Sequence, residues 1–443
     1  MGLFDPARKC PVGVGGPFMH HPLRKTGFFI AAAAVLLFIC IQNLISSRIG
    51  FVGYTETAFY LQDFAYHIIL ADRFWFKGFG NFYDLNFQLQ ALSAYMGKPA
   101  MVTMPVGVTP LAVVVWLPFA WIAGYGLSFA YSLWMTVSLC VLAMALWKIG
   151  RAVSPVRPFH LLPLVLIAIC IFSPLGVSTV VVGQTSIFAA GILSLLFYRL
   201  VSHTDDPDGR PADWRMVVLV LLGAMKPPYM IIGFGALVIY GRWRDLAWAA
   251  GIFLLLLAAM TPLMTSDWPG AYRRLLGMYA GGNFPDIYDW AVVPRTMNIF
   301  RSAISGETGD RAAVMASSII SALVIPGIVL FSRYRGRLAP GSRPKLVVGL
   351  VACCLLFAPY LGAYEDLLLI PVFIIVFLTG ETPSVGGFQG IGLCAALFFS
   401  LLHGLPVFPH PGLFFLLKAL VLAGMIRYAG RREQRPPEAD AGH

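Results

Sequence analysis

Apolar runs long enough to cross a bilayer recur along this chain from Gly27 to Arg427, and the arginines and lysines collect in the short loops between them. That arrangement restricts the fold more than any motif does. In hydrocarbon every backbone N–H and C=O needs a partner within the protein, so only helices and closed barrels can span it. Barrel strands show roughly ten-residue segments of alternating polarity. The runs here are continuous in Leu, Ile, Val and Ala, and they read as helices. Of the residues, 58% are hydrophobic and 12% charged, against about 25% charged in a soluble domain. The 443 residues have room for roughly a dozen helices of ~20 residues with their loops. The expected fold is all-α and polytopic.

The net charge of +11 does not mark a nucleic-acid binder, because the basic residues sit at span ends and set orientation. Arg8, Lys9, Arg24 and Lys25 make residues 1–26 a cytoplasmic tail. The first span runs from Gly27 to about Ile45. No small-x-small cleavage site follows it, so it is expected to stay as an anchor. Residues 46–104 form a first outer loop. The next basic groups are Lys148/Arg151/Arg157, Arg199/Arg210/Arg215, Arg242/Arg244, Arg333/Arg335/Arg337 with Arg343/Lys345, and Arg427/Arg431/Arg432/Arg435. Placed together in the cytoplasm, they pair the remaining runs into hairpins over 127–147, 160–178, 185–200, 212–226, 228–241, 247–264, 311–332, 345–361, 366–379, 386–403 and 411–427. With the first span that makes about twelve transmembrane helices, with both termini inside. Residues 27–427 are then one membrane-embedded domain with a second long outer loop at 265–310. Residues 428–443 are a polar cytoplasmic tail, read as disordered.

Two segments admit two readings. Residues 106–124 are long enough to cross, which would invert every later loop. The preferred reading is a re-entrant or interface-lying helix, kinked by Pro105, Pro110 and Pro118. Residues 212–241 are either one span with Lys226 buried in it or a tight hairpin with Lys226-Pro227-Pro228 at the outer tip. The hairpin is preferred, since a lysine at mid-bilayer costs on the order of 3 kcal/mol.

Six of the seven cysteines lie inside apolar runs, so no disulfide framework is expected, and the Cys and His spacings match no metal site. There is neither a P-loop nor a dinucleotide fingerprint. No cofactor and no metal are expected.

The topology gathers Asp63, His67, Asp72, Asp84, Gln184, Lys226, the loop 265–310 and the pair Glu365/Asp366 on the outer side. Asp63-Phe64-Ala65-Tyr66-His67 is expected to open an amphipathic helix lying on the membrane. Phe64, Ile68, Ile69 and Phe74 would face lipid, and Asp63, Tyr66 and His67 would face water. Asp63 and His67 are four apart and share a helix face. A carboxylate there either acts as a general base toward a hydroxyl or caps the helix. Gly183-Gln184-Thr185-Ser186 forms a tight outer turn, with an amide donor and acceptor at Gln184. Lys226 offers a compact charge for a lipid phosphate, or simply snorkels to the interface.

Taken in order, these residues resemble glycosyltransferase family 87, within the C-type membrane glycosyltransferases, from about residue 27 to 380. The marks are Asp63-Phe64 followed by Tyr66, then Gly80-Asn81-Phe82-Tyr83-Asp84, and the proline-spaced run from Met104-Pro105 through Pro110-Leu111 to Pro118. Next come Gly183-Gln184-Thr185-Ser186, Lys226-Pro227, and Pro359-Tyr360 through Tyr364-Glu365. Ser186 stands where the family commonly has asparagine, and Glu365 where it has aspartate. The resemblance implies a transferase taking a sugar, often mannose, from a polyprenyl-phosphate lipid donor to a glycolipid or glycan acceptor. It would be a multi-pass protein of the cell membrane, with its active site facing outward. By that analogy Asp63 is the general base and Lys226 steadies the leaving phosphate. His67, Tyr66, Gln184, Tyr364, Glu365 and Asp366 line the substrates. Two other function classes fit a chain of this kind. One is a secondary transporter or lipid-linked oligosaccharide flippase, which should carry its ionisable residues at mid-span. The other is an inert assembly partner.

Overall fold

The structure is a computed structural model. It describes residues 63–97, 106–153, 183–202, 211–281, 342–357 and 367–372, together with Gly176, Thr179, Val180 and Gly327. Among these residues the regular elements are all helices: α1 (Asp63–Phe76), α2 (Leu85–Met96), α3 (Pro110–Val115), α4 (Leu117–Ala123), α5 (Leu127–Val153), α6 (Ser186–Ser202), α7 (Trp214–Gly223), α8 (Pro227–Ile239), α9 (Trp243–Met260), α10 (Trp268–Gly281) and α11 (Ser342–Phe357). Helices α3 to α9 and α11 stand within a few residues of the apolar runs, whereas α1, α2 and α10 fall in the stretches 46–104 and 265–310 read as outer loops. The runs expected at 27–45, 160–178, 311–332, 386–403 and 411–427 lie outside the described residues, Gly176 and Gly327 apart, as do both tails.

Local chemistry accounts for the boundaries. Pro110 and Pro118 open α3 and α4, and Pro227 and Pro228 open α8. Proline suits the first turn because its ring presets φ and its missing N–H would be unpaired there anyway. Asp84 caps α2, its carboxylate accepting from Asn86 N at 2.7 Å and Phe87 N at 3.1 Å. Gly97 ends the same helix with φ 65°, the left-handed cap that glycine adopts without a Cβ penalty.

Helix lengths depart from the expectation of full spans. A stretch of α5, Leu127–Ile149, and all of α9 are long and apolar enough to cross a membrane. The apolar helices α6, α7 and α8 have 17, 10 and 13 residues, against the ~20 a straight crossing takes. Residues 212–241 do form a hairpin. A Cβ on Gly233 of α8 would lie 3.5 Å from Val220 Cγ1 of α7. At the open end Asp213 N donates to Asp245 Oδ1 at 2.6 Å. The hairpin is built from half-length helices, because the apolar run on each side of Lys226-Pro227-Pro228 is itself that short.

The bundle has two ends of opposite character. Helices α5 and α6 run parallel. Trp134 Nε1 donates to Gly183 O at 3.3 Å. Two turns further on, a Cβ on Gly191 would stand 2.7 Å from Leu142 N. At one end lie Lys148 and an ionic cluster: Arg199 pairs with Asp213, and Arg242 Nε with Asp245 Oδ2 at 2.7 Å. At the other end lie the Gly183–Gln184 turn, the Lys226 tip of the α7–α8 hairpin, and the start of α3. Helix α10 joins that end through Tyr83, whose ring is 4.5 Å from Tyr272 and 6.0 Å from Trp268.

Helix α1 corrects an expectation. It does not lie on a surface with one wet face. Phe64 through Ala71 and Phe74 are buried, Tyr66 and His67 among them, and it packs against α2, α4 and α5. Among its polar groups, the Tyr66 hydroxyl reaches Gln88 and the Trp75 indole reaches Val113 O, while Asp63, Asp72, Arg73 and Trp75 stay half-buried and Phe76 is exposed.

Candidate functional site at the Gly183 and Lys226 turns

Asp63 is the first residue of α1, where a carboxylate is favoured by the helix dipole. It is half-buried. Phe64 behind it is buried against the turn that carries Gln184. A Cβ placed on Gly183 would meet Phe64 Cβ at 2.5 Å and Tyr131 Cε2 at 3.0 Å. Gly183 also has φ 71°, so both backbone and space demand glycine there. Phe64 is further held by the rings of Tyr131 (5.6 Å) and Trp134 (6.3 Å). The Tyr131 hydroxyl donates to Val180 O. Gln184 N donates to Thr179 O at 3.1 Å. The start of α1, the pair Thr179 and Val180, and the Gly183–Gln184 turn are thus one packed unit.

Lys226 approaches that unit from the neighbouring hairpin. Its Nζ donates to Gln184 Oε1 at 3.3 Å and lies 5.7 Å from the centre of the Tyr229 ring. The Tyr229 hydroxyl faces Ser186 Oγ at 3.5 Å. Helices α6 and α8 both begin here, and their N-terminal dipoles add positive potential to the ammonium. The Thr185 hydroxyl is buried and has no hydrogen-bond partner among the described residues. The place favours an anion.

His67 lies one helical turn past Asp63. Its ring stacks on Trp116 at 4.2 Å, with 28° between planes. Burial, helped by the Lys226 charge, pulls its pKa down from 6.5 to about 3. At neutral pH it is an uncharged imidazole.

The structure therefore brings together the N-terminus of α1, His67, Gln184 and Lys226. Tyr66 points elsewhere: its hydroxyl donates to Gln88 Oε1 of α2 at 2.9 Å, so it serves the packing of α1 on α2. Of the other outer acids, Asp84 caps α2 and Asp72 pairs with Lys77 at 2.5 Å. Tyr364, Glu365 and Asp366 lie outside the described residues. Among the described residues no three His, Cys, Asp or Glu side chains gather as a metal site.

Three contributors carry no local signal in the sequence. Trp116 sits at the break between α3 and α4, inside an apolar run. Tyr229 reads as one more aromatic at a span end. Thr109 precedes α3, and its hydroxyl donates to Ala224 O at 2.6 Å, across more than a hundred residues of chain.

The model of glycosyltransferase family 87 matches residues 109–359. Thr109, Gln184, Lys226 and Tyr229 fall inside the matched segment, and Asp63 and His67 precede it. No curated protein and no solved structure matches the chain.

Proposed function

The chain belongs to glycosyltransferase family 87, and from that premise we propose that it moves a sugar, mannose by family resemblance, from a polyprenyl-phosphate donor to an acceptor hydroxyl on a glycolipid or glycan. The observation that carries this reading is the contact of Lys226 Nζ with Gln184 Oε1 at 3.3 Å, on a turn that packs through Gly183 against the helix beginning at Asp63. A cation and a carboxylate at one end of the bundle suit a reaction that needs a base on one side and a phosphate grip on the other.

In this reading Asp63 takes the proton of the acceptor hydroxyl. The acceptor oxygen attacks the anomeric carbon in line and inverts it. The bond from that carbon to the phosphate oxygen breaks, and its electrons leave with the lipid monophosphate. Lys226 and the N-termini of α6 and α8 meet the charge that develops on that phosphate. Gln184 orients the ammonium, and neutral His67 offers a hydrogen-bonding edge without a competing charge. The isoprenoid tail runs along the apolar segment 106–124. The protein is a multi-pass protein of the cell membrane with cytoplasmic termini, and the end carrying Lys226 faces outward.

The test supplies purified protein with polyprenyl-phosphate-mannose and a glycolipid acceptor. Asp63→Asn should abolish transfer while its thermal unfolding matches wild type. Full activity in that variant removes Asp63 from the mechanism.

A further inference from the structure

Lys226 lies between two helices in extended backbone, φ −121° and ψ 146°. Helix α7 ends just before it, at Gly223, with Ala224 as its cap. The last carbonyls of a helix have no partner within it, and here they fall on the stretch that must hold Lys226 still. Thr109 supplies the partner. Its hydroxyl donates to Ala224 O at 2.6 Å and lies 3.2 Å from Met225 O, and its backbone N–H donates to Met225 O at 2.9 Å. Thr109 is the residue before α3, where a threonine hydroxyl ordinarily accepts from the helix's own N–H groups. It makes no such cap here. The side chain is 3% exposed, so these contacts are shielded from water.

The other end of α3 meets the other half of the site. Trp116, 1% exposed, stacks on His67, one turn along α1 from Asp63. Trp75 Nε1 of α1 also donates to Val113 O within α3 at 3.0 Å. A single short helix is thus tied at its start to the Ala224 and Met225 carbonyls that lead into Lys226, and along its length to the helix that begins at Asp63.

We infer that α3 is a spacer that sets the position of Lys226 relative to α1, and that Thr109 is the positioning residue at its Lys226 end. The inference deepens the transferase reading above and rests on it for its kinetic consequence. A displaced ammonium meets the departing phosphate poorly, while the donor's long tail still binds. The loss falls on kcat more than on KM.

The experiment uses the full chain in detergent and compares wild type, Thr109→Val and Thr109→Ser. Acylation of Lys226 by an amine-reactive ester is followed by peptide mass spectrometry, with Lys148 at the opposite end of the bundle as internal reference. Transfer from polyprenyl-phosphate-mannose is measured in parallel. Thr109→Val should change the Lys226-to-Lys148 labelling ratio by about threefold or more, and lower kcat on the order of tenfold with donor KM little moved. Thr109→Ser should restore both. Should the valine variant fail to fold, Thr109→Ala, which removes the hydroxyl without adding bulk, is read in its place. An unchanged labelling ratio in a folded variant lacking the hydroxyl overturns the proposal, as does a serine variant as impaired as the valine one. Wild-type protein that transfers nothing from this donor defeats the functional reading alone, because the labelling ratio still decides the spacer.

Discussion

Gly183 and Phe64 approach so closely that a side chain on the first would stand 2.5 Å from the Cβ of the second. This contact joins the helix that starts at Asp63 to the turn that carries Gln184. Gly183→Ala meets both a left-handed backbone and an occupied space. Strain of this kind costs about 1–3 kcal/mol. The thermal unfolding midpoint in detergent should fall, and transfer should fall with it as Gln184 shifts. An alanine variant as stable as wild type shows that the turn and α1 are not packed as described.

Lys226→Met removes the cation and keeps much of the volume. A lost stabiliser of developing charge costs about 10²–10³ in rate, so kcat should drop by that order. Lys226→Arg should recover part of it. Gln184→Leu leaves the ammonium without its 3.3 Å acceptor and should give a smaller loss. Steady-state kinetics over a series of donor concentrations separates these effects from weaker binding.

His67 gives the fold a pH dependence with a definite sign. It ionises near 6.5 in the unfolded chain, but its folded pKa is down at about 3, through burial first and Lys226 second. Between those values the unfolded state binds more protons. Stability is unaffected by this group above about pH 6.5 and decreases as pH falls toward 3. The slope approaches ~1.4 kcal/mol per pH unit for one proton. His67→Phe should remove that contribution, so that the unfolding free energy falls less steeply between about pH 6.5 and 4.5 than in wild type. Equal slopes in the two proteins would show that His67 titrates normally.

The ionic cluster at the far end should matter for stability alone. Asp245 is 2% exposed and accepts from both Arg242 Nε and Asp213 N. Removing one partner of a buried pair costs about 3–5 kcal/mol. Asp245→Ala should lower the unfolding midpoint sharply, and Arg242→Met with Asp245→Leu should lose less than the single change. Equal losses in the two would mean that the stranded charge is not what hurts.

Much of this was legible in the chain, and the reason is period and punctuation. The runs behind α5, α6, α9 and α11 are apolar and uninterrupted, so their helices could be placed. Lys226-Pro227-Pro228 announced the hairpin, since two prolines cannot continue a helix but can start one. The glycine before Gln184 announced a turn. The state of α1 was not legible. Asp63, Tyr66, His67 and Asp72 look like a wet face, and the burial of Tyr66 and His67 depends on Gln88 and Trp116, partners that local sequence does not reveal. Thr109 hides for the same reason: its hydroxyl answers a helix end that lies 115 positions away. Trp116 hides among apolar neighbours that give it no distinguishing pattern.

The shortness of α7 has a consequence for depth. Its 10 residues climb about 15 Å between Trp214 and Gly223, roughly half of a ~30 Å hydrocarbon core. With the arginine-rich end at the cytoplasmic boundary, as the proposed topology has it, the helix itself would stop well beneath the opposite surface, and the extended stretch to Lys226 would carry the ammonium only part of the remaining way. In that topology water would reach it through a vestibule, and a lipid carrier would dip its head group inward to touch it. Such a sunken floor would keep an activated sugar away from bulk solvent, where hydrolysis would compete with transfer.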